Sequence, residues 1–202
     1  MALLILASQS PRRQELLSLL GLKFQVIPSS YQEDDDPKER NHVKMAASHA
    51  RGKALQVREG SMSTSLVLAA DTIVVLGEKR MGKPASSLEA RLMLEALSGH
   101  THQVITAICL VDKGNQLHQD HKITNVTFRK LAKHEIIKYV ETNDPMDKAG
   151  GYGIQSSAAC FVSSIEGCYF NVMGLPVSAL TLMLRKAGID CPDWNNLGGH
   201  DG

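Results

Sequence analysis

Leu66-Val67-Leu68-Ala69-Ala70-Asp71-Thr72-Ile73-Val74-Val75-Leu76 is the most strand-like run in the chain, and one charge, Asp71, breaks it. Val and Ile suit a pleated surface, but a carboxylate in so apolar a run costs several kcal/mol unless it is paired, protonated or metal-bound. Two readings stay open. Asp71 ends a strand or bulge and caps a turn in solvent, or it is a strand-end carboxylate that binds a divalent metal or activates water.

Upstream of this run, Leu3–Ala7 is a short apolar stretch that stops at Ser8-Gln9-Ser10. Pro11 suits the first position of a helix with Ser10 as N-cap. Leu16, Leu17 and Leu20 fall on one face of that helix, and Gly21 ends it. Phe24–Pro28 reads as a second strand and Glu33–Asp36 as an acidic loop. A helix follows from about Lys38 to Arg58, with Val43, Ala46, Ala47, Ala50 and Ala54 inward, and Gly60–Ser65 is a linker.

Downstream, Ser86-Ser87-Leu88-Glu89 has the spacing of a capping box and opens a helix that ends near Gly99. Gln103–Val111 and Lys122–Phe128 read as strands around a turn at Lys113-Gly114-Asn115. A helix spans about His134–Glu141, before Pro145. Gly150-Gly151-Tyr152-Gly153 reads as a flexible loop, and Ala158–Ile165 with Tyr169–Val172 as a hairpin. Pro176 starts a last helix that reaches Gly188, and the tail is polar. Strands and helices alternate, yet some strands form hairpins. This predicts an α/β fold of mixed α+β character, with a mixed sheet.

The 202 residues carry a net charge of +1, with 43% hydrophobic, 21% charged and 4% aromatic residues. That length gives one domain or two small ones, and a real core. The charge balance and the few aromatic stacking platforms argue against a nucleic-acid partner. No apolar run approaches the ~18 residues of a membrane span, and no signal peptide precedes Arg12 and Arg13. The four cysteines lack zinc spacing, so reduced, mostly buried thiols in a cytoplasmic protein are expected. His100 and His102 have no third ligand nearby and read as surface histidines.

Three further segments suggest chemistry. Ser8–Arg13 joins a Ser-rich turn to a helix whose first turn holds two arginines, which either forms an anion site or is an exposed basic helix start. Gly77–Pro84 nearly spells a P-loop but ends in Pro84, without the hydroxyl that would hold magnesium. Lys83 is left as a possible phosphate contact. Lys148-Ala149-Gly150-Gly151-Tyr152-Gly153-Ile154-Gln155 joins a cation, three glycines and an amide that can read a base edge, or else it is a mobile linker.

In this order, Ala7–Arg13, Ala70-Asp71-Thr72, Gly82-Lys83-Pro84, Leu97-Ser98-Gly99, Asp147–Gln155 and Asn171–Pro176 resemble the Maf family of nucleoside triphosphate pyrophosphatases. The likeness runs from about Leu3 to Gly188, and Lys53-Ala54 and Glu33 are similar to its helix lysine and acidic loop residue. Gln9 and Cys168 depart from its usual residues without changing a charge.

The resemblance implies a Maf/ITPase-like fold: an elongated mixed sheet flanked by helices, in two lobes with a cleft. Residues 1–189 would form one catalytic domain and 190–202 a polar tail. It implies a homodimer that cleaves a nucleoside triphosphate to the monophosphate and pyrophosphate with Mg2+ or Mn2+. Asp-Thr and Gly-Tyr-Gly-Ile-Gln are similar to the branch acting on dTTP and UTP. On that analogy Asp71 is the proton acceptor, and Arg13, Thr72 and Gln155 set specificity. Ser8, Arg12, Lys53, Lys83 and Lys148 would hold phosphate, and Asp71 with Glu33 would hold the metal. A regulator of cell division and septum formation, binding nucleotide without turnover, is the competing reading.

Overall fold

The computed structural model describes residues 3–33, 39–62 and 64–191. Residues 192–202 of the expected tail, and Asp34–Asp36 of the acidic loop, lie outside the described residues. Seven strands form one mixed sheet in the order β2-β1-β3-β5-β6-β7, with β4 paired to β3. These are β1 (Leu4–Leu6), β2 (Phe24–Val26), β3 (Leu66–Leu76), β4 (Lys79–Met81), β5 (Thr101–Val111), β6 (Leu117–Phe128) and β7 (Val162–Glu166). β1 runs parallel to β2 and β3, whereas β3–β4 and β6–β7 are antiparallel. The helices are α1 (Pro11–Ser18), α2 (His42–Glu59), α3 (Ser87–Leu97), α4 (Lys133–Glu141), α5 (Tyr169–Met173) and α6 (Val177–Lys186). The expected mixed α/β fold is present.

The chain divides into two compact units, each built from separated segments. The first comprises Met1–Asp71, Thr106–Lys122 and Gly174–Gly202. Its core joins β1 and the first half of β3 to Leu16 and Leu17 of α1, Ala46, Ala50 and Ala54 of α2, and Leu180 and Leu184 of α6, all buried. Each large aliphatic side chain hidden this way contributes roughly 1.5–3 kcal/mol. Pro11 opens α1 as expected, and Asn41 caps α2 by accepting from the Lys44 N–H at 3.0 Å.

The second unit comprises Thr72–Ile105 and Ile123–Met173, so the chain changes unit within β3, between Asp71 and Thr72. Here α3 packs on α4, and Ser86 caps α3 by accepting from the Glu89 N–H at 3.2 Å. Its core is aromatic. Phe128 meets Tyr152 edge-on at 4.8 Å between centroids and His102 at 5.1 Å, and Tyr139 meets Phe161 at 5.2 Å. Such edge-to-face pairs add to the burial of the rings themselves.

Four expectations change. His102 is 1% exposed and not a surface histidine; its Nε2 lies 2.7 Å from the Tyr152 hydroxyl, and only His100 stays at the surface. Gly150–Ile154 is packed, not loose: all five residues are buried, and Gly150 and Gly151 take φ values of 72° and 70° that favour glycine. The expected second hairpin is absent. Ser157–Phe161 is a 3-10 turn, β7 pairs with β6, and Tyr169–Met173 is helical. The Asn171 amide donates to the Val104 carbonyl at 2.9 Å and to Thr124 Oγ1 at 3.0 Å, tertiary bonds that outweigh the β propensity of its neighbours. All four cysteines are free thiols, but only Cys109 and Cys191 are buried. Among the described residues, no helix is long and apolar enough to cross a membrane.

Candidate active site

Asp71 is 6% exposed and lies inside β3, so it does not cap a turn in solvent. Its partners come from α2. Residues four apart on a helix share a face, and His49 and Lys53 are so spaced on the face that also buries Met45, Ala46, Ala50, Ala54 and Val57. Lys53 Nζ donates to Asp71 Oδ1 at 2.6 Å and pairs with Glu33 Oε1 at 2.5 Å. His49 Nδ1 lies 3.7 Å from Asp71 Oδ2 and 4.0 Å from Glu33 Oε2. Each carboxylate therefore turns one oxygen toward Lys53 and the other toward His49.

The segment that carries Glu33 is tied to the same helix. Gln56 Oε1 accepts from the Ser29 hydroxyl at 2.9 Å and the Ser30 N–H at 3.0 Å, and Ser29 Oγ accepts from the Tyr31 N–H at 3.1 Å. The Tyr31 ring lies where a Cβ on Gly52 would stand, and its centroid is 6.2 Å from that of His49. A glycine inside a helix costs about 1 kcal/mol relative to alanine. At Gly52 that cost makes room for the ring beside the cluster.

Burial acts to raise the Asp71 pKa, but the contact with His49, the charge and hydrogen bond of Lys53, and the charge of Arg13 outweigh it and bring the group down to about 2. The carboxylate is thus ionised at neutral pH. Burial lowers the Arg13 pKa, and the charge of Asp71 opposes that effect. Arg13 is held by Nε donating to the Gly174 carbonyl at 2.9 Å and Nη1 donating to Ser8 Oγ at 3.2 Å. Ser8 is buried, and its Oγ also accepts from the Ser10 N–H at 3.2 Å. Ser8 and Arg13 are thus brought together, as are Glu33, Lys53 and Asp71, while the neighbouring Arg12 is half-buried on α1. All of them belong to the first unit.

Thr72, Lys83, Lys148 and Gln155 belong to the second unit. Thr72 is half-buried, while Lys83 and Gln155 are exposed. The Gly150 N–H donates to the Gly82 carbonyl at 3.0 Å, which joins the Gly82-Lys83-Pro84 and Lys148–Gln155 segments. Lys148 Nζ donates to the Asp144 carbonyl at 2.6 Å, to Asp144 Oδ1 at 3.0 Å and to Asp147 Oδ1 at 2.6 Å.

Glu33, His49 and Asp71 each offer one ligand atom, all within 4.8 Å of one another. A set of two carboxylates and one imidazole fits a divalent cation by the chemistry of its donors. The sequence reading missed His49, whose signal was a histidine amid the alanines of the inward stripe of α2.

A family model described as Maf-like protein matches residues 3–187. A protein of Desulforamulus reducens named dTTP/UTP pyrophosphatase is 45% identical over 191 residues, 93% of this chain and 97% of its own. One of Clostridium botulinum with the same name is 44% identical over 190 residues, 93% of this chain and 98% of its own. Among solved structures, a HAM1 protein from Coxiella burnetii is similar with a TM-score of 0.48 and 20% identity, covering 92% of this chain and 100% of that one. The chain belongs to the Maf-like protein family.

Proposed function

We propose that this protein hydrolyses dTTP and UTP to the nucleoside monophosphate and pyrophosphate. The observation that carries this reading is the buried, ionised Asp71 bridged by Lys53 to Glu33, in a chain 45% identical to a relative named for that activity.

Asp71 orients the attacking water and accepts its proton as the α-phosphorus is approached. A carboxylate with a pKa of about 2 is a weak base. A triphosphate that draws Lys53 Nζ onto its own oxygens removes one of the contacts that depress Asp71, and so makes it more basic when substrate is bound. Arg12, Arg13 and Ser8 supply N–H and O–H donors to the phosphates from the start of α1. Glu33, Asp71 and His49 would hold a divalent cation such as Mg2+ or Mn2+, whose charge offsets that of the leaving pyrophosphate. The assignments of Lys83 and Lys148 to phosphate, and of Arg13, Thr72 and Gln155 to the base, are supported by the motifs they share with the family. An amide at Gln155 offers one donor and one acceptor, the complement of the O4/N3–H edge of uracil or thymine.

The test is a product assay with Mg2+ or Mn2+ and, separately, UTP, dTTP, CTP, GTP, ATP and 7-methyl-GTP, scoring pyrophosphate apart from orthophosphate. Pyrophosphate from UTP and dTTP is expected. Tight nucleotide binding without turnover of any triphosphate would replace the enzyme reading with that of a nucleotide-binding regulator.

A further inference from the structure

His49 stands on the inward face of α2 among Met45, Ala46, Ala50 and Ala54, and is 3% exposed. An imidazole buried there costs free energy unless polar groups meet it, and the carboxylates of Glu33 and Asp71 are among the groups it faces. The geometry divides these carboxylates unequally. Lys53 Nζ closes on Glu33 Oε1 and Asp71 Oδ1 at 2.5 and 2.6 Å, whereas His49 Nδ1 stands off Oε2 and Oδ2 at 4.0 and 3.7 Å. The second pair of distances exceeds that of a strong hydrogen bond. It is close to the edge of a coordination polyhedron, since ligands ~2.1 Å from a metal stand ~3.0–3.5 Å from each other. One ligand atom from each of the three residues lies within 4.8 Å of the others, so a single ion would be within reach of all three. The Tyr31 ring beside His49 and the Gln56 bonds to its segment hold this side of the cluster in place.

We propose that His49 is a specificity-determining ligand of the cation site, and that its nitrogen makes the site prefer a first-row transition ion such as Co2+ or Mn2+ to Mg2+. The inference rests on the proposed reaction only in taking the Glu33–Asp71 cluster as its cation site. Mg2+ is a hard ion that binds oxygen and keeps its water, whereas imidazole gains affinity from Mn2+ to Co2+. Carboxylates alone suit Mg2+, which takes one or two of them and keeps its waters. A buried imidazole adds a bond that only the softer ions use fully.

The experiment is cation binding to the full chain by titration calorimetry, without nucleotide, for Co2+ and Mg2+. The variants are His49→Asn, which puts an oxygen near the position of Nδ1, and Asp71→Asn. The wild-type protein should bind Co2+ more tightly than Mg2+. His49→Asn should weaken Co2+ roughly tenfold or more while moving Mg2+ by ~2-fold at most, and Asp71→Asn should weaken both. Equal Co2+ affinity in wild type and His49→Asn overturns the proposal. Spin-echo spectroscopy of Mn2+ bound to the wild-type protein gives a second readout should His49→Asn fail to fold. Nitrogen hyperfine coupling that disappears in Asp71→Asn supports the proposal, and its absence in the wild type overturns it. Neither readout uses turnover, so a protein that releases no pyrophosphate would sink the proposed reaction and leave this result standing.

Discussion

Lys53 and Lys148 each hold an ammonium between two carboxylates: Glu33 and Asp71 in the first unit, Asp144 and Asp147 in the second. What else those carboxylates touch sets the two apart. Asp144 Oδ2 accepts from the Tyr139 hydroxyl at 2.5 Å and the Ser156 hydroxyl at 2.6 Å, and Tyr139 in turn accepts from the Gly153 N–H at 3.2 Å. Burial acts to raise the Asp144 pKa, and hydrogen bonds from Ser156, Tyr139 and Lys148 outweigh it. That network is closed upon itself and holds the glycine-rich segment in shape. Asp71 is lowered instead by an imidazole and two cations, groups that a polyphosphate or a metal ion can draw away. A lysine between two acids is therefore not a functional signature in itself. The acids are reactive where their remaining partners are exchangeable.

The sharpest break of the comparison is at Asp71. Asp71→Asn keeps the shape and removes the proposed base, and should lower kcat for UTP by roughly 10²–10⁴-fold, the range for loss of a positioned general base. Pyrophosphate release, measured well below the variant's own unfolding midpoint, checks it, and near-wild-type kcat would remove Asp71 from the chemistry.

The two lysines come next. Lys53→Met should cost roughly 10²-fold or more in kcat/KM, since it removes both the proposed phosphate donor and the bridge to Glu33. Lys148→Met should act first on stability. Its partners are partly exposed, so the loss is about 2 kcal/mol, below that of a fully buried pair, and is read as a lower unfolding midpoint. A raised KM for UTP in a Lys148→Met protein with an unchanged midpoint would show that this lysine serves the phosphates without holding the glycine-rich segment, and would erase the contrast between the two lysines.

Acid separates the units in a third way. Burial holds the His102 pKa down at about 4, below its ordinary 6.5. The unfolded chain takes up this proton first as the pH falls, so the stability His102 contributes is complete above pH 6.5 and declines down to about 4. The loss is at most roughly 3 kcal/mol, from 1.4 kcal/mol per pKa unit. Asp71, lowered from 3.8 to about 2, contributes stability that is complete above pH 3.8 and lost only as the pH falls through about 2. Mild acid should therefore loosen the second unit first. Amide hydrogen exchange compared at pH 7 and pH 5 should show reduced protection around Phe128 and Tyr152 before β1 and α2 change, and His102→Gln should flatten this dependence. Equal loss of protection in both units would remove the distinction.

The same contrast explains what the sequence made legible. Asp71 stood out because a charge in an apolar run is anomalous whatever its partners. Pro11, Ser86 and the run at β3 were legible because capping and strand signals are local. His49 was not, since a histidine among alanines carries no local contradiction. Its partners Glu33 and Asp71 lie on other elements, and only the register of α2 against β3 brings them to it. His102 was misread for the same reason, because its burial depends on Tyr152 and Phe128 far along the chain. The hairpin at Tyr169–Val172 failed because the Asn171 bonds to Val104 and Thr124, invisible to propensity, favour a helical turn. The pairing of Asp144 with Lys148 was within reach as a four-residue spacing, but spacing does not reveal the hydroxyls that satisfy it.

Gly52 gives the smallest effect and the finest test of the first unit. Alanine there would gain about 1 kcal/mol of helix propensity, so a position that only shapes α2 should be stabilised by Gly52→Ala. The added Cβ would overlap the Tyr31 ring, and the ring would have to move with the segment that carries Glu33. Gly52→Ala should thus leave the unfolding midpoint nearly unchanged, gain offsetting loss, while kcat/KM falls a few-fold, ~1 kcal/mol of coupling between contacting residues. Tyr31→Ala should cost a similar amount, because it frees the same segment. The double variant should cost less than the two single effects added, since either change alone already unseats the ring. Strict additivity in that cycle would show that Gly52 and Tyr31 act apart, and that the ring does not couple α2 to the segment that carries Glu33.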